Sequence, residues 1–358
     1  MRISNLIFHL TLLLMITGCH DARKKPASQF VEGWPVMSTL ALVTTSENGK
    51  VSDLRQVATD AFEYINQTCS VFIDSSELSA LNREAGKQAV PVCNEVAELL
   101  KLSIDLARYS NGAFDPTIGP LMKLWGFRSK NIIQPPSEEA LNEAHAKIGW
   151  QHITLTESNQ AAFAKLELSD MHIDLGAIAK GYAVDLAFEK GQKLATDFMI
   201  DLGGNIRVSG EASNGKGGWR TGIRNPFAKE LNHETALIGS VLMTNGEAVA
   251  TSGNYERFVT IDGQRYAHIM DPRTGRPVKG IAGVTVIAPS AALADGLSTT
   301  LFVLGPDEGY QLLCQHYPAC EALWVPDNET ELTLIVTPNL LPRLDINAEW
   351  QKHVQVLK

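Results

Sequence analysis

The residues best suited to chemistry in this sequence fall in five segments rich in Gly and Asp. In Ala294-Asp295-Gly296-Leu297-Ser298-Thr299, a carboxylate and a hydroxyl lie four apart, which places them together on one helix face. Such an oxygen pair suits a hard cation such as Mg2+, which usually takes phosphate oxygens as well. The plainer alternative is that Thr299 bonds back to the carbonyl of Asp295. A second segment, Asp174-Leu175-Gly176-Ala177-Ile178-Ala179-Lys180-Gly181-Tyr182, sets an acid before a glycine that opens a helix, with a lysine six residues on. Free N–H groups and a partial positive charge at a helix start favour an anion, and a nearby lysine adds a point charge for phosphate. Without a ligand, the same segment is a capped amphipathic helix.

Three further segments are weaker singly. Gly112-Ala113-Phe114-Asp115-Pro116-Thr117-Ile118-Gly119 forms a tight Asp-Pro loop carrying an aromatic and an acid. Asp201-Leu202-Gly203-Gly204-Asn205 lacks the GxGxxG spacing and a following helix, so a β-turn is expected there, not a dinucleotide fold. The fourth segment spans Ala250–Tyr255 and His268–Gly275, where a strand end gathers His268, Asp271 and Arg273 in a Pro/Gly turn. A lone histidine is usually structural, and one beside an acid and an arginine becomes a candidate base.

These segments need elements to carry them. Ser52 is expected to cap a helix with Leu54, Val57, Ala58, Ala61 and Ile65 on one face. A second helix is expected from an Asn94 cap to Asn111-Gly112, a third after Pro135-Pro136-Ser137, and a fourth over Ala177–Ala195. Between about 197 and 290 the pattern changes to short β-rich runs at Phe198–Ile200, Ile206–Val208, Gly239–Met243, Arg257–Ile261 and Val284–Ala288. A helix from the Ser290 cap should stop at Gly305, with another after Pro306-Asp307. Helices, then antiparallel strands, then helices predict an α+β fold of two interleaved lobes, mostly antiparallel sheet with flanking helices.

The chain has 358 residues, 44% apolar and 20% charged, which excludes collagen-like and wholly disordered classes. Its net charge of −9 argues against a nucleic-acid polymer as partner. At the start, Arg2 precedes an apolar run from Leu6 to Ile16, too short for a membrane span and ending in Ile16-Thr17-Gly18-Cys19. That ending resembles the lipobox of bacterial lipoproteins, with residues 1–18 a signal peptide and Cys19 the lipidated residue. Cleavage would remove Arg2 and take the balance from −9 to −10. Residues 19–36 then read as a polar tether, with Arg23-Lys24-Lys25 near anionic head groups. Cys69, Cys93, Cys314 and Cys320 show no metal or CxxC spacing and are expected to be structural, with pairing of sequence neighbours preferred.

In order, GAFDPTIGPLMKLWGF, IDLGAIAKGYAVD, IDLGGNIRVSG, AVATSGNYERF, HIMDPRTGRPV and VTVIAPSAALADGLSTTLFVLG resemble the ApbE family, the FAD:protein FMN transferases, over roughly residues 36–310. The resemblance implies a T-fold-like catalytic domain over 37–358. It implies Mg2+-dependent transfer of FMN from FAD to a Thr or Ser hydroxyl of an acceptor protein, with AMP released. It assigns Mg2+ to Asp295, Thr299 and the main-chain carbonyl of Ala177, and flavin-nucleotide contacts to Met37, Ala113, Phe114, Asp115, Asp174 and Lys180. Phe72 stands where the family usually has Tyr, so it keeps a stacking ring and loses a hydroxyl. His268 is the expected base, with Ile269 packing on the nucleotide. A place on the periplasmic side of a bacterial membrane, more often the inner one, is implied, held by the lipid anchor alone. The acceptor is expected to be a subunit of a membrane redox complex. Two rival readings are an FAD pyrophosphatase and a non-catalytic flavin-binding lipoprotein.

Overall fold

The computed structural model describes residues 28–127, 134–158, 161–212, 217–228, 236–255, 258–261, 264–328 and 330–358. The signal peptide, Cys19, Arg23-Lys24-Lys25 and Arg257 lie outside the described residues. Eight α-helices occur among those described: α1 Val51–Cys69, α2 Glu77–Arg83, α3 Asn94–Tyr109, α4 Gly119–Leu124, α5 Glu138–His145, α6 Ala179–Gly191, α7 Ala291–His316 and α8 Ala348–Gln351. None is long and apolar enough to cross a membrane.

A nine-stranded sheet organises the chain. Its order is Phe30–Val36, Thr39–Thr45, Phe198–Leu202, Asn205–Ser209, Ala248–Gly253, Ile281–Ala288, Glu321–Pro326, Leu334–Val336 and Val354–Val356. All neighbours are antiparallel except the last pair. The α+β class with a mostly antiparallel sheet is therefore as predicted. The strand Ile281–Ala288 is buried at every position, because both sheet faces are covered. One face packs Val284 and Val286 with Phe62 of α1, Leu99 of α3, Phe188 of α6 and Phe302 of α7. The other sends Ile287, Leu323 and Val325 against Trp219, Val241 and Trp350, beneath a three-stranded sheet of Trp219–Arg224, Leu237–Met243 and Leu344–Ile346. A small third core joins Leu121 and Trp125 of the α4 region, Leu141 of α5, and Val259 and Met270. The predicted lobes are thus layers of one sheet: helices on one face, a small sheet on the other.

Several predicted elements shift. Phe30–Val36, assigned to the tether, is an edge strand paired along its whole length with Thr39–Thr45. Ser52 does not cap α1: the helix already begins at Val51, and the Ser52 hydroxyl donates to Glu32 at 2.8 Å. The N-cap of α3 is Cys93, with Asn94 already helical. Ser137 caps α5 and Ser290 caps α7, each accepting from the N–H three residues on, as their sequences predict. The second half of α7 follows a break at Gly305 (φ 73°, ψ −177°), where Pro306 restarts the turn. Cys69, Cys93, Cys314 and Cys320 are all free thiols, so the preferred pairing of neighbours is not present.

Candidate active site

The site is built where α6 crosses α7. A side chain at Gly181 would place its Cβ 2.1 Å from the Ala291 carbonyl oxygen, so only glycine permits this approach. One turn later, the buried Asp185 carboxylate accepts from the N–H groups of Ala291 (2.7 Å) and Ala292 (2.8 Å), the first residues of α7. Arg207 pairs with that carboxylate at 2.8 Å and lies over the Phe188 ring. Burial pushes the Asp185 carboxyl above its usual range; the Arg207 charge and the two N–H groups oppose the shift. An α6 acid thereby satisfies the first two N–H groups of α7, beside the Ser290 cap, and ties the two helices together at the crossing.

That crossing delivers Asp295. Its carboxylate is buried, with Oδ2 accepting from Gly181 N–H at 3.0 Å and Oδ1 3.5 Å from Lys180 Nζ. Asn205, with its amide turned to satisfy both neighbours, donates to Asp295 Oδ1 at 3.1 Å and accepts from Lys180 at 2.7 Å. Gly181 N–H is given to Asp295, while on either side of it Ala179 N–H donates to the Leu175 carbonyl and Tyr182 N–H to that of Ile178. On α7, Ser298 Oγ donates to the Asp295 carbonyl at 2.8 Å. Ser252 Oγ, from the strand Ala248–Gly253, lies 2.8 Å from Ser298 Oγ and 3.3 Å from Thr299 Oγ1. The back-bond to the Asp295 carbonyl, the plainer alternative for Thr299, is made by Ser298.

Two turns stand beside this cluster at one end of the sheet. Gly203 and Gly204 (φ 61° and 90°) form a two-residue hairpin, the β-turn expected from the sequence, and Asn205 follows directly. The Asp201 carboxylate accepts from Gly204 N–H at 2.7 Å, and burial pushes its carboxyl up to about 6, opposed by that bond and the Lys180 charge. The adjacent hairpin turns at Met37 and Ser38, both left-handed (φ 48° and 60°) without being glycine. Gly203 N–H donates to Leu40, and a Cβ at 203 would strike Thr39, so the turns are locked together. Left-handed non-glycine residues cost about 1–3 kcal/mol each and tend to cluster at functional sites.

The remaining predicted residues occupy a neighbouring framework. Asp115 is buried, and its carboxylate serves the loop itself: it accepts from Thr117 N–H and hydroxyl and from Trp150 N–H. Burial raises its carboxyl, against those three bonds. Ala113 and Phe114 are buried beside it, Phe114 in the main core. Asp174 N–H donates to Pro116, and Asp174 Oδ1 accepts from Gly176 N–H, so this loop and the α6 approach are fastened together. Ile269 is buried and His268 half-buried, while Asp271 is gripped by Arg273 through two side-chain bonds of 2.9 Å. The acid next to the histidine thus closes its own turn. Phe72 is 72% exposed in the loop before α2.

The structure brings Asp295 and Lys180 together at the start of α6, with Thr299 joined to them through Ser252, Ser298 and the Asp295 carbonyl. Asn205, Ser252, Gly181 and the Asp185–Arg207 pair belong to the same site and were not singled out as site residues from the sequence. A glycine inside a helix was the available signal for Gly181; the others become neighbours only through folding. Among the described residues, no group of three or more His, Cys, Asp or Glu could hold a metal ion. One carboxylate, one hydroxyl and one carbonyl are all hard oxygen donors, too few alone, and fit Mg2+ completed by phosphate oxygens.

Comparison with known proteins shows the family. A sequence model of the ApbE family matches residues 37–324. FAD:protein FMN transferase of Vibrio cholerae is 32% identical over 313 residues, covering 85% of this chain and 89% of that protein. The enzyme of the same name from Escherichia coli K12 is 31% identical over 316 residues, with 85% and 88% covered. Among solved structures, flavin transferase ApbE of Vibrio cholerae superposes with a TM-score of 0.77 at 29% identity, over 89% of this chain and all of that one. The ApbE protein of Thermotoga maritima gives the same score and coverage at 28% identity. With the family model matching residues 37–324 and relatives above 30% identity aligned over 85% of its length, this chain belongs to the ApbE family.

Proposed function

We propose that this chain transfers FMN from FAD to a Ser or Thr hydroxyl of an acceptor protein, with Mg2+ as the required metal. The acceptor oxygen attacks the phosphorus of the FMN half, its bond to phosphorus forms as the pyrophosphate P–O bond breaks, and AMP departs. The observation that carries this reading is the buried Asp295 carboxylate, held beside Lys180 at the α6–α7 crossing in a chain of this family. A buried acid paired with a lysine matches the needs of phosphoryl transfer, which are charge neutralisation and positioning.

Asp295, Thr299 and the Ala177 carbonyl would hold Mg2+, and bound there it would neutralise pyrophosphate charge. Lys180 meets a phosphate oxygen as a point charge. Asp174, Ala113, Phe114, Asp115, Met37 and Ile269 shape the nucleotide site, and Phe72 stacks from the exposed loop. His268 takes the acceptor hydroxyl proton. Cys19 carries the lipid that holds the enzyme at the periplasmic side of the membrane, near a flavin-carrying redox subunit.

The test is incubation of the full chain with FAD, Mg2+ and a purified candidate acceptor, read by intact mass. An FMN-sized adduct on a Ser or Thr, with AMP in equal amount, is expected. Free FMN with unmodified acceptor would replace this reading by FAD hydrolysis, and FAD bound but unchanged would replace it by flavin storage.

A further inference from the structure

Behind the proposed cation site, three hydroxyls and a carbonyl form a chain whose direction follows from counting protons. A carbonyl can only accept, so the single Ser298 hydroxyl proton is committed to the Asp295 carbonyl at 2.8 Å. Ser252 Oγ, 2.8 Å from Ser298 Oγ, must then donate to it. With that proton spent, Ser252 can only accept from Thr299 Oγ1, 3.3 Å away. Thr299 therefore gives its proton to Ser252 and keeps both Oγ1 lone pairs for another partner. The chain ends on a main-chain carbonyl and contains no titratable group, so it sets orientation and does not conduct protons.

We propose that Ser252 is a positioning residue that makes Thr299 a pure acceptor toward a hard cation. This rests on the reading of Asp295, Thr299 and the Ala177 carbonyl as the cation's ligands. A helical threonine left to itself tends to give its proton to a carbonyl in the preceding turn, which redirects its lone pairs. Ser252 competes with that habit from a fixed place. Its strand is paired with Ile281–Ala288, in register at Ser252 and Val284, and the neighbouring Thr251 and Thr285 hydroxyls are bonded at 2.9 Å. Ser298 is fully buried and takes the back-bond that Thr299 would otherwise make. Partners that orient metal ligands in this way typically alter affinity by about 10–100-fold.

The experiment titrates Mn2+ into the full chain at saturating FAD, with free Mn2+ read by electron paramagnetic resonance and fold by thermal unfolding. Ser252→Ala is expected to weaken Mn2+ binding by at least about tenfold, with the unfolding midpoint little changed, and Ser252→Thr to restore it. In a Thr299→Ala background, Ser252→Ala should change affinity no further, because Ser252 acts through Thr299. Wild-type affinity in Ser252→Ala, or an equal loss in both backgrounds, would overturn the role of Ser252. If Ser252→Ala does not fold, loss of Mn2+ affinity in the folded Ser252→Thr chain overturns it equally. No Mn2+ uptake by the wild type, or unchanged affinity in Asp295→Asn, would instead overturn the cation reading on which it stands.

Discussion

The backbone N–H of Gly181 donates to Oδ2 of Asp295 at 3.0 Å, across 114 residues of sequence. One hydrogen bond thus aims the buried acid and records how closely α6 and α7 approach. The approach requires glycine, since a Cβ at 181 would overlap the Ala291 carbonyl.

Gly181→Ala should therefore damage the site and the fold together. Overpacking of this kind costs about 1–3 kcal/mol. Urea unfolding should show that loss, and FMN transfer should fall by more than about tenfold, as a bond-length displacement of Asp295 is enough. A variant with native stability and rate would mean that the crossing does not set the position of Asp295.

Asp295→Asn keeps an acceptor for Gly181 N–H while removing the charge. Transfer should drop by about 10²–10³-fold, the usual scale for losing one preorganised electrostatic group. Single-turnover assays at saturating FAD and Mg2+ measure it, and a rate within a few-fold of wild type would refute the assignment.

Asp185→Ala removes the acceptor of the Ala291 and Ala292 N–H groups at the start of α7, where Ser290 still caps, and leaves Arg207 without its carboxylate. Breaking a buried pair from one side costs about 3–5 kcal/mol, more than an exposed ion pair contributes. Chemical denaturation of the variant should show a loss of that size, and a change below about 1 kcal/mol would assign the tie between the two helices to other contacts.

The Asp201 carboxyl, pushed up to about 6 by burial, makes stability pH-dependent. Between about pH 4 and 6 the folded state holds a proton that the unfolded chain has released, so stability falls as pH rises through that window and then levels. The shift caps the effect near 3 kcal/mol, and water reaching this half-buried side chain reduces it. Asp201→Asn retains the acceptor for Gly204 and should lack this component. The midpoint difference between wild type and variant should change across that window alone; a constant difference would contradict the shift.

The four free thiols among the described residues predict a graded alkylation pattern. Burial pushes Cys69 and Cys320 up to about 12 and Cys93 up to about 11, whereas Cys314 is exposed. Iodoacetamide should label Cys314 first in the native chain, and all four without reductant once the chain is unfolded. Peptide mapping reads both stages. Two protected cysteines after unfolding would reinstate the paired arrangement.

How much was legible followed from the range of each interaction. The Ser137 and Ser290 caps, the break at Gly305 and the Gly203-Gly204 turn were readable because each signal and its consequence lie within a few residues. The edge strand Phe30–Val36 was read as tether because its pairing with Thr39–Thr45 is what makes it a strand. That the Asp115 carboxylate would bond Thr117 and Trp150 was half legible, since Thr117 is two residues away and Trp150 is brought there only by folding.

The sequence by itself determined the α+β class, the motifs of the family and the acid, lysine and hydroxyl able to serve phosphoryl transfer. Only the tertiary structure decided that Asn205 bridges Lys180 and Asp295, that Asp185 accepts from the first turn of a helix 106 residues away, and that Ser252 meets the hydroxyl of Thr299. Residue type and spacing specify what a side chain can donate, accept or charge. Which partner completes it is fixed by the packing of α6, α7 and the sheet, where buried polar groups must be satisfied by whatever the fold brings within about 3 Å.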